Sequence, residues 1–317
     1  MYVRNNIRFK VWWSYSWWPL LVCFLYDSFI CLLYGYFGVR ALDLPWAPVA
    51  TLGTAVAFYI GFKNNGSYDR FSEGRQLWGV ITNLSRLWAI SISDYVQPAP
   101  DEVIPDPAEV RELHRRLLYR QLAWVNALRL HLRRQTAERW DAEVAPFLSL
   151  ADSAAARDRN NPPTHLLRQQ SEELRHLHQR GLLAVWRQVS LVDTLRDLFH
   201  AQGGCERIKN TPFPRQYAYF SYVFVRVFAA VLPLGLVEEF DKMGPNHVWL
   251  TVPVAMLVAW VFNTIEVVGH TSENPFDNTI NDVPMSSICR TIEIDLRELL
   301  GEKELPTKLE AVNDVLY

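Results

Sequence analysis

The motifs that mark common enzyme classes are missing from this chain of 317 residues. It contains no GxxxxGK[ST] phosphate-binding loop, no GxGxxG dinucleotide signature, no GxSxG nucleophile turn and no HExxH zinc motif. Their absence argues against nucleotide-dependent, hydrolytic and zinc-peptidase chemistry. We therefore predict that the chain is not an enzyme and needs no cofactor.

The chain also has few cysteines and no excess of positive charge. The four cysteines, Cys23, Cys31, Cys205 and Cys289, are scattered and form no CxxC pair. They predict neither a disulfide framework nor a metal site, and are interpreted as small buried apolar residues. The net charge is −2 and no basic stripe carries interleaved aromatic residues, so nucleic acid is not an expected partner.

Apolar and charged residues are segregated along the chain. Apolar and aromatic residues crowd 11–62 and 217–269, whereas charge crowds 63–216 and 270–317. Four segments have the roughly 20 apolar residues that cross a bilayer: Trp17–Phe37, Trp46–Phe62, Tyr217–Val237 and Val248–Gly269. This pattern predicts a membrane part joined to a soluble part. A signal peptide is a poor alternative for the first segment, which is too long and lacks a small-residue cleavage site.

The distribution of Lys and Arg predicts the orientation in the cell inner membrane. The loops at 38–45 and 238–247 carry only Arg40 and Lys242, whereas the opposite side carries many basic residues. Those residues are Arg4, Arg8, Lys10, Lys63, Arg70, Arg75, Arg207, Lys209 and Arg215. We therefore expect a multi-pass protein with both termini in the cytoplasm.

The predicted organisation has four parts: 1–63 with spans one and two, a cytoplasmic helical region at 64–216, spans three and four at 217–269, and a cytoplasmic segment at 270–317. A helical rhythm at 67–95 continues span two, and the proline-rich 96–107 breaks it. An amphipathic helix is predicted at 108–134, a loop at 151–165, and helices at 165–179 and 181–201, with Gly203 and Gly204 as a helix stop. The fold class is all-α.

Ionisable residues within the spans are costly in a bilayer. Asp27 lies in the middle of span one and Arg226 in the middle of span three. They either pair across helices and hold the bundle together, or contribute directly to an ion path. Asn263 and Glu266, near the inner end of span four, are expected at the interface.

Span two carries two ridges that repeat every fourth residue. Gly53, Ala57 and Gly61 form a ridge of small residues, which lets helix backbones approach closely, including those of further copies. The adjacent ridge is formed by Thr54, Phe58 and Phe62. Around a central axis these side chains would form an apolar constriction that controls wetting. Ordinary bundle packing is the alternative.

The segment "NNGSYDRFSEGRQLWG" and the later "ENPFDNTINDVPMSSICRTIE" resemble the bestrophin family, in particular its bacterial members. The resemblance covers nearly the whole chain. The residues that carry it are Tyr68, Asp69, Arg70, Glu73, Arg75, Asn274, Pro275 and Phe276, all interpreted as structural. The resemblance implies a homopentameric ion channel in membrane lipid, with four spans per subunit around a central pore that conducts small monovalent ions.

The resemblance also assigns candidate pore residues. Thr54, Phe58 and Phe62 fall on the family's neck positions, although Thr54 departs from a wholly apolar neck and predicts a wetter outer position. Phe213, between Pro212 and Pro214, is the candidate for a second, cytoplasmic aperture. The alternative for Phe213 is a loop residue packed under span three.

Calcium activation is not expected, although animal relatives bind calcium after the Asn-Pro-Phe motif. Here Asp277 and Asp282 are the only carboxylates in "DNTINDV", and a hard dication prefers six or more oxygens, several of them charged. Anion and monovalent-cation selectivity both stay open. A secondary transporter and a membrane-anchored helical scaffold are the alternative functions.

Overall fold

The computed structural model describes residues 1–97, 106–244 and 246–317, and these residues are organised by α-helices. Ten α-helices run through them: α1 Phe9–Gly35, α2 Trp46–Tyr95, α3 Pro107–Arg133, α4 Thr136–Glu143, α5 Leu150–Arg157, α6 Pro162–Gln179, α7 Val185–Asn210, α8 Arg215–Asp241, α9 Thr251–Thr271 and α10 Met285–Leu299. The only β pairing in these ranges consists of two isolated bridges. The predicted all-α class is therefore confirmed.

The chain divides into two compact units. The membrane unit contains Arg4–Arg70 and Pro212–Glu273, and the helical unit contains Met1–Val3, Phe71–Thr211 and Asn274–Tyr317. These boundaries lie a few residues from the predicted divisions at 63, 216 and 269. Helix α2 belongs to both units, as the predicted continuation of span two requires. Most of the proline-rich stretch predicted to break it, 98–105, lies outside the described residues.

Within the described residues, four helical segments are long and apolar enough to cross a membrane. They are Phe9–Gly35, Arg40–Tyr95, Arg215–Asp241 and His247–Thr271, which confirms the four predicted spans. The first helix begins at Phe9, eight residues before the predicted start at Trp17. Its added turns carry Trp12, whose ring centroid lies 6.0 Å from that of Trp260 on α9.

Helices α2, α8 and α9 share one apolar core in the membrane unit, which includes Val56, Val225 and Ala255. Close approach depends on two glycines: a methyl group at Gly53 would lie 2.8 Å from the Phe228 ring, and one at Gly235 would lie 2.8 Å from Val49. Gly53 therefore packs against α8 of its own chain. This is the close approach of helix backbones that the small-residue ridge predicts, here within one chain.

Gly61 differs from Gly53, because nothing in its own chain lies within 4 Å of a methyl group placed there. The physical reason is the helical period. Residues four apart rotate by about 40° around the axis, so two such steps carry Gly61 away from the face that Gly53 occupies.

The predicted ion pair between Asp27 and Arg226 is not formed. Asp27 is 1 % exposed and its Oδ2 atom has no hydrogen-bond partner among the described residues. The Arg226 guanidinium lies instead over the ring of Tyr222, one turn earlier on α8, at 4.6 Å from the centroid. The position of each residue in the middle of a span indicates that its charge is costly. It does not indicate which neighbouring helix the side chain faces.

Helix α3 forms the centre of the helical unit. Between Leu117 and Leu132 almost every side chain is buried, including Trp124. The predicted amphipathic pattern describes only its first turns, because α6, α7 and α10 cover the rest of its circumference. Its start follows capping rules: the Asp106 side chain accepts from the backbone nitrogen of Ala108, with Pro107 as the first helical residue.

Two local predictions in the helical unit are wrong. Residues 151–165, predicted as a loop, contain most of α5 and the start of α6. Ser149 caps α5 by accepting from the Asp152 nitrogen, and a run of alanines favours the helix. Gly203 and Gly204 do not stop α7, which continues to Asn210. A methyl group at Gly204 would lie 2.9 Å from Leu77, so this glycine permits close helix packing.

The predicted burial of the cysteines is right for three of the four. Cys31, Cys205 and Cys289 are buried free thiols, whereas Cys23 on α1 is only half-buried. In the helical unit, burial raises the pKa of the Cys289 thiol to about 11 and that of Cys205 to about 12. These two thiols therefore stay protonated and chemically quiet near neutral pH.

Candidate functional site

The candidate neck residues lie together on one exposed face of α2. Thr54, Phe58 and Phe62 are all exposed, and the two phenylalanine side chains keep 66 % and 70 % of their surface. Their ring centroids are 6.5 Å apart, as expected for residues one turn apart on a helix. The span thus presents a column of large rings that its own chain leaves uncovered.

Thr54 is less polar in this setting than its residue type suggests. Its hydroxyl donates to the backbone carbonyl of Ala50 at 3.0 Å, one turn earlier on α2. This bond uses the only hydrogen that the side chain can donate. The expected wetting of the outer neck position is correspondingly reduced.

Another face of α2 is held by a buried lysine. The Lys63 side chain is fully buried, and its Nζ lies 3.2 Å from Glu266 Oε1 and 3.4 Å from Glu273 Oε1. Rotating α2 about its axis would leave these buried charges without partners, at a large cost in free energy. The Lys63 contacts therefore fix the rotation of α2 that leaves the adjacent Phe62 exposed.

This role of Lys63 was not predicted from the sequence, and the expected position of Asn263 and Glu266 at the membrane interface stays a prediction. Glu266 is 8 % exposed and Asn263 is 9 % exposed, so both are buried. An available signal was the pair of acidic residues near the end of span four, Glu266 and Glu273. His270 adds a titratable contact, with Nδ1 at 3.5 Å from Glu273 Oε1.

Phe213 is half-buried and packs against α2. A methyl group at Gly66 would lie 3.0 Å from Cε2 of the Phe213 ring. Gly66 follows Phe62 by one turn, so the ring lies near the end of the exposed phenylalanine column. The flanking Pro212 and Pro214 are exposed. This contact favours the packing alternative for Phe213 while leaving part of its ring uncovered.

The family-motif residues make contacts within each unit. In the membrane unit, Arg70 Nε donates to the Glu273 carbonyl at 2.9 Å. In the helical unit, Glu73 forms an ion pair with Arg207, and the buried Phe276 ring lies over Gly74, where a methyl group would be 3.0 Å from it. These contacts support structural roles for Arg70, Glu73 and Phe276.

The remaining motif residues lie mostly at the surface. Tyr68, Asp69, Arg75 and Asn274 are exposed, whereas Pro275 is buried beside Phe276. Asp69 follows Phe62 by seven residues, which returns it to nearly the same face of α2. It is thus an exposed carboxylate on the face that carries the phenylalanine column.

The two carboxylates considered for calcium are used separately. Asp277 forms an ion pair with Lys209, and the Asp282 carboxylate accepts from the backbone nitrogen and hydroxyl of Thr279. Across the described part of the chain, no group of three or more His, Cys, Asp or Glu side chains has metal-binding geometry. The residues present do not fit a calcium site, which needs several convergent oxygens.

Two apolar stripes on the helical unit were also missed. Val80, Leu87 and Ile90 on α2 keep 46–48 % of their surface, and Trp186 at the start of α7 is 86 % exposed, with Val189 one turn later. Their spacing repeats along one helical face, and this was the available signal. Exposed apolar stripes of this kind mark surfaces that another protein covers.

Comparison with known proteins identifies relatives along nearly the whole chain. The model of the Bacterial/Fungal Bestrophin protein family matches residues 14–298. A voltage-dependent anion channel-forming protein of Escherichia coli, YneE, is 31 % identical over 291 residues, covering 92 % of this chain and 88 % of the relative. A second voltage-dependent anion channel-forming protein, from Ralstonia nicotianae, is 32 % identical over 267 residues, covering 83 % of this chain and 80 % of the relative.

A solved structure shares the fold. The crystal structure of a bacterial bestrophin homolog from Klebsiella pneumoniae matches with a TM-score of 0.79 at 26 % identity, covering 90 % of this chain and 99 % of that one. Fold and comparisons together define an all-helical, multi-pass membrane protein that functions as an ion channel. The chain belongs to the bacterial/fungal bestrophin family, as its motifs predicted.

Proposed function

We propose that five copies of this chain assemble around a central axis and conduct small monovalent ions passively through a hydrophobic neck. Each subunit contributes Thr54, Phe58 and Phe62 of α2. The chain catalyses no reaction and holds no cofactor or calcium ion. It lies in the cell inner membrane with both termini in the cytoplasm, in contact with lipid along its outer faces.

The exposed column of Phe58 and Phe62 carries this proposal. Two large rings stand uncovered on α2, and the buried ion pair of Lys63 with Glu266 anchors another face of the same helix. A ring of such helices encloses an apolar constriction, and constrictions of this kind gate ions by controlling whether water fills them. Gly61, which has no neighbour within its own chain, leaves space for an adjacent copy.

Self-assembly is supported by the stripes on the helical unit. Val80, Leu87 and Ile90 would face water in a single subunit, at an unfavourable cost of roughly 25 cal/mol per Å² of apolar surface. A second copy of the chain would cover them. Helix α2 carries both this stripe and the phenylalanine column. Assembly of copies around α2 would therefore explain why both features are exposed in a single subunit.

Selectivity has two candidates, each with its own support. The relatives are named anion channel-forming proteins, which favours anions. In this chain, however, the exposed carboxylate of Asp69 lies on the phenylalanine face, seven residues beyond Phe62. A ring of five carboxylates would attract cations and repel anions. The neck residues themselves carry no charge and do not discriminate.

The aperture role of Phe213 stays a proposal beside its packing role. The uncovered part of the ring would narrow the path where it leaves the neck, whereas the buried part packs on Gly66. Phe213→Ala is expected to change current size or ion preference with the neck intact. An unchanged current–voltage curve assigns the ring to packing alone.

The first test measures currents of purified protein in a planar bilayer under an asymmetric KCl gradient. Phe58→Ala with Phe62→Ala is expected to widen and wet the neck and to raise the conductance several-fold. Phe29→Ala on α1 removes another exposed ring, 57 % exposed, and serves as the control. If the double variant conducts like the parent, the column is not the gate. A reversal potential near the chloride equilibrium value indicates anion selectivity, and one near the potassium equilibrium value indicates cation selectivity.

The oligomeric state is tested by native mass spectrometry. The parent is expected at five subunits, and Leu87→Asp, which places a charge in the apolar stripe, is expected to release smaller species. Leu309→Asp changes a leucine of similar exposure outside this stripe and should stay pentameric. A monomeric parent contradicts the pore and favours the scaffold alternative. Flux that saturates with substrate, without unitary currents, favours the transporter.

A further inference from the structure

A cavity of about 240 Å³ opens between α1, α8 and α9 in the membrane unit. Most of its lining is apolar and includes Pro19 of α1, Ala229 of α8 and Ala259 of α9. The polar groups in this lining include the side chains of Arg226 and Asn263, beside the Tyr26 hydroxyl and the Trp260 indole, which already have partners. An apolar cavity with a few convergent polar groups is the usual form of a small-molecule site.

Arg226 lines this cavity and is exposed on its own chain, so its charge is accessible from outside the subunit. No carboxylate forms an ion pair with it among the described residues, and its contact is the face of Tyr222. A cation–π contact supplies only part of the stabilisation that a guanidinium loses on leaving water. Arginine within a span ordinarily pairs with an acidic group. Arg226 lacks such a group, so the site has room for one anionic partner.

Asn263 points to the same kind of partner. The residue is 9 % exposed, lines the cavity, and its Nδ2 amide has no hydrogen-bond acceptor in the described part of the chain. The Tyr26 hydroxyl is not one of the groups without a partner, because it donates to the Ala230 carbonyl at 2.9 Å. The groups left without partners at the cavity are therefore donors, which suit an oxyanion.

The cavity lies beside the tryptophan belt of α1. Pro19 follows Trp18 directly, and Trp260 in the cavity wall contacts the ring of Trp12. Tryptophans gather where lipid headgroups meet acyl chains. Arg226 lies in the middle of span three, but its guanidinium reaches back over Tyr222, one turn nearer the start of α8. The oxyanion with an apolar part attached to it that a membrane supplies is the phosphate of a phospholipid.

We propose that this cavity binds an anionic phospholipid. The phosphate accepts hydrogen bonds from the Arg226 guanidinium and the Asn263 amide, and the first part of an acyl chain lies along the alanine and proline wall. The lipid carries the negative charge that Arg226 lacks, so a zwitterionic lipid binds less well. The site belongs to a single subunit and does not depend on the pore.

The test titrates delipidated, purified protein with phosphatidylglycerol or phosphatidylcholine in one detergent and counts bound lipid by native mass spectrometry. The parent is expected to retain phosphatidylglycerol preferentially. Arg226→Gln is expected to weaken that binding at least about tenfold, as loss of a charge-assisted hydrogen bond implies. Arg40→Gln is the matched control, since Arg40 already pairs with Asp241 in the same unit.

Ala229→Leu is a second, independent variant that fills the cavity and keeps every charge. It too should lose the lipid, so the proposal stays testable if Arg226→Gln does not fold. Inorganic phosphate at the same concentration should not compete, because it lacks the acyl chain; competition would assign the site to free phosphate instead. Equal retention of both lipids, or of phosphatidylglycerol by Ala229→Leu, would falsify the proposal.

Discussion

The membrane unit and the helical unit both have an apolar core, but they place their remaining large apolar side chains differently. In the membrane unit, Leu25 and Phe29 lie on the outside, 59 % and 57 % exposed, while the charge of Lys63 lies inside. In the helical unit, Trp88 and Trp124 are completely buried. The solvent explains the contrast, because lipid chains are as apolar as leucine and provide no hydrophobic drive between helices. Apolar burial stabilises the helical unit, whereas close packing and polar pairs stabilise the membrane unit.

The largest effect is expected from Lys63→Leu in the membrane unit. This change leaves Glu266 and Glu273 buried without their cation, which costs about 3–5 kcal/mol. The midpoint of thermal unfolding in detergent should fall sharply. Lys242→Leu removes exposed ion pairs to Glu238 and Glu239, which water screens, and should leave the midpoint nearly unchanged. Equal shifts for the two variants would show that the buried charges are not an anchor.

A matched pair of leucine truncations sharpens the comparison next. Leu118→Ala empties part of the helical-unit core and should destabilise it by about 2–5 kcal/mol. Leu25→Ala on α1 changes a side chain that faces outward, and should stay within about 0.5 kcal/mol of the parent. Both are measured by thermal unfolding in the same detergent. A large effect at Leu25 would mean that another subunit, not lipid, covers this face.

The third effect is a change in stability with pH, which arises from a buried thiol of the helical unit. Burial raises the Cys289 thiol pKa from 9.0 to about 11. The unfolded chain therefore loses this proton first, and stability should fall between pH 9 and pH 11 by roughly 3 kcal/mol, at about 1.4 kcal/mol per pH unit. Below pH 9 the contribution is fully present.

Cys289→Ala isolates that contribution from other groups that titrate in the same range. The stability difference between parent and variant, measured by thermal unfolding at pH 8, 9, 10 and 11, should shrink as pH rises. A difference that stays constant across this range would show that the thiol ionises without unfolding.

The smallest expected effect concerns selectivity and depends on assembly. Asp69→Asn removes the exposed carboxylate on the phenylalanine face of α2, and should move the reversal potential in asymmetric KCl toward the chloride value by several millivolts. Asp158→Asn removes an exposed carboxylate beyond α5 and serves as the control. Identical reversal potentials for Asp69→Asn and the parent would exclude Asp69 from the ion path.

Sequence reasoning succeeded wherever a property is local or periodic. The four spans follow from length and composition, and the shared face of Thr54, Phe58 and Phe62 follows from their spacing, whereas its exposure was seen only in the structure. It failed where a local signal competes with packing. Gly203 and Gly204 indicate a helix end, yet α7 continues because Leu77 occupies the space over Gly204.

The sequence by itself determined the membrane class, the order of the elements and the family, since hydropathy and short motifs carry them. Only the tertiary structure decided that Lys63 turns inward to Glu266 and Glu273, that Gly53 packs within its own chain, and that Arg226 stays without an acidic partner. Each of these depends on which faces of separate helices meet. A helical period defines the faces of one helix but not the neighbour that each face contacts.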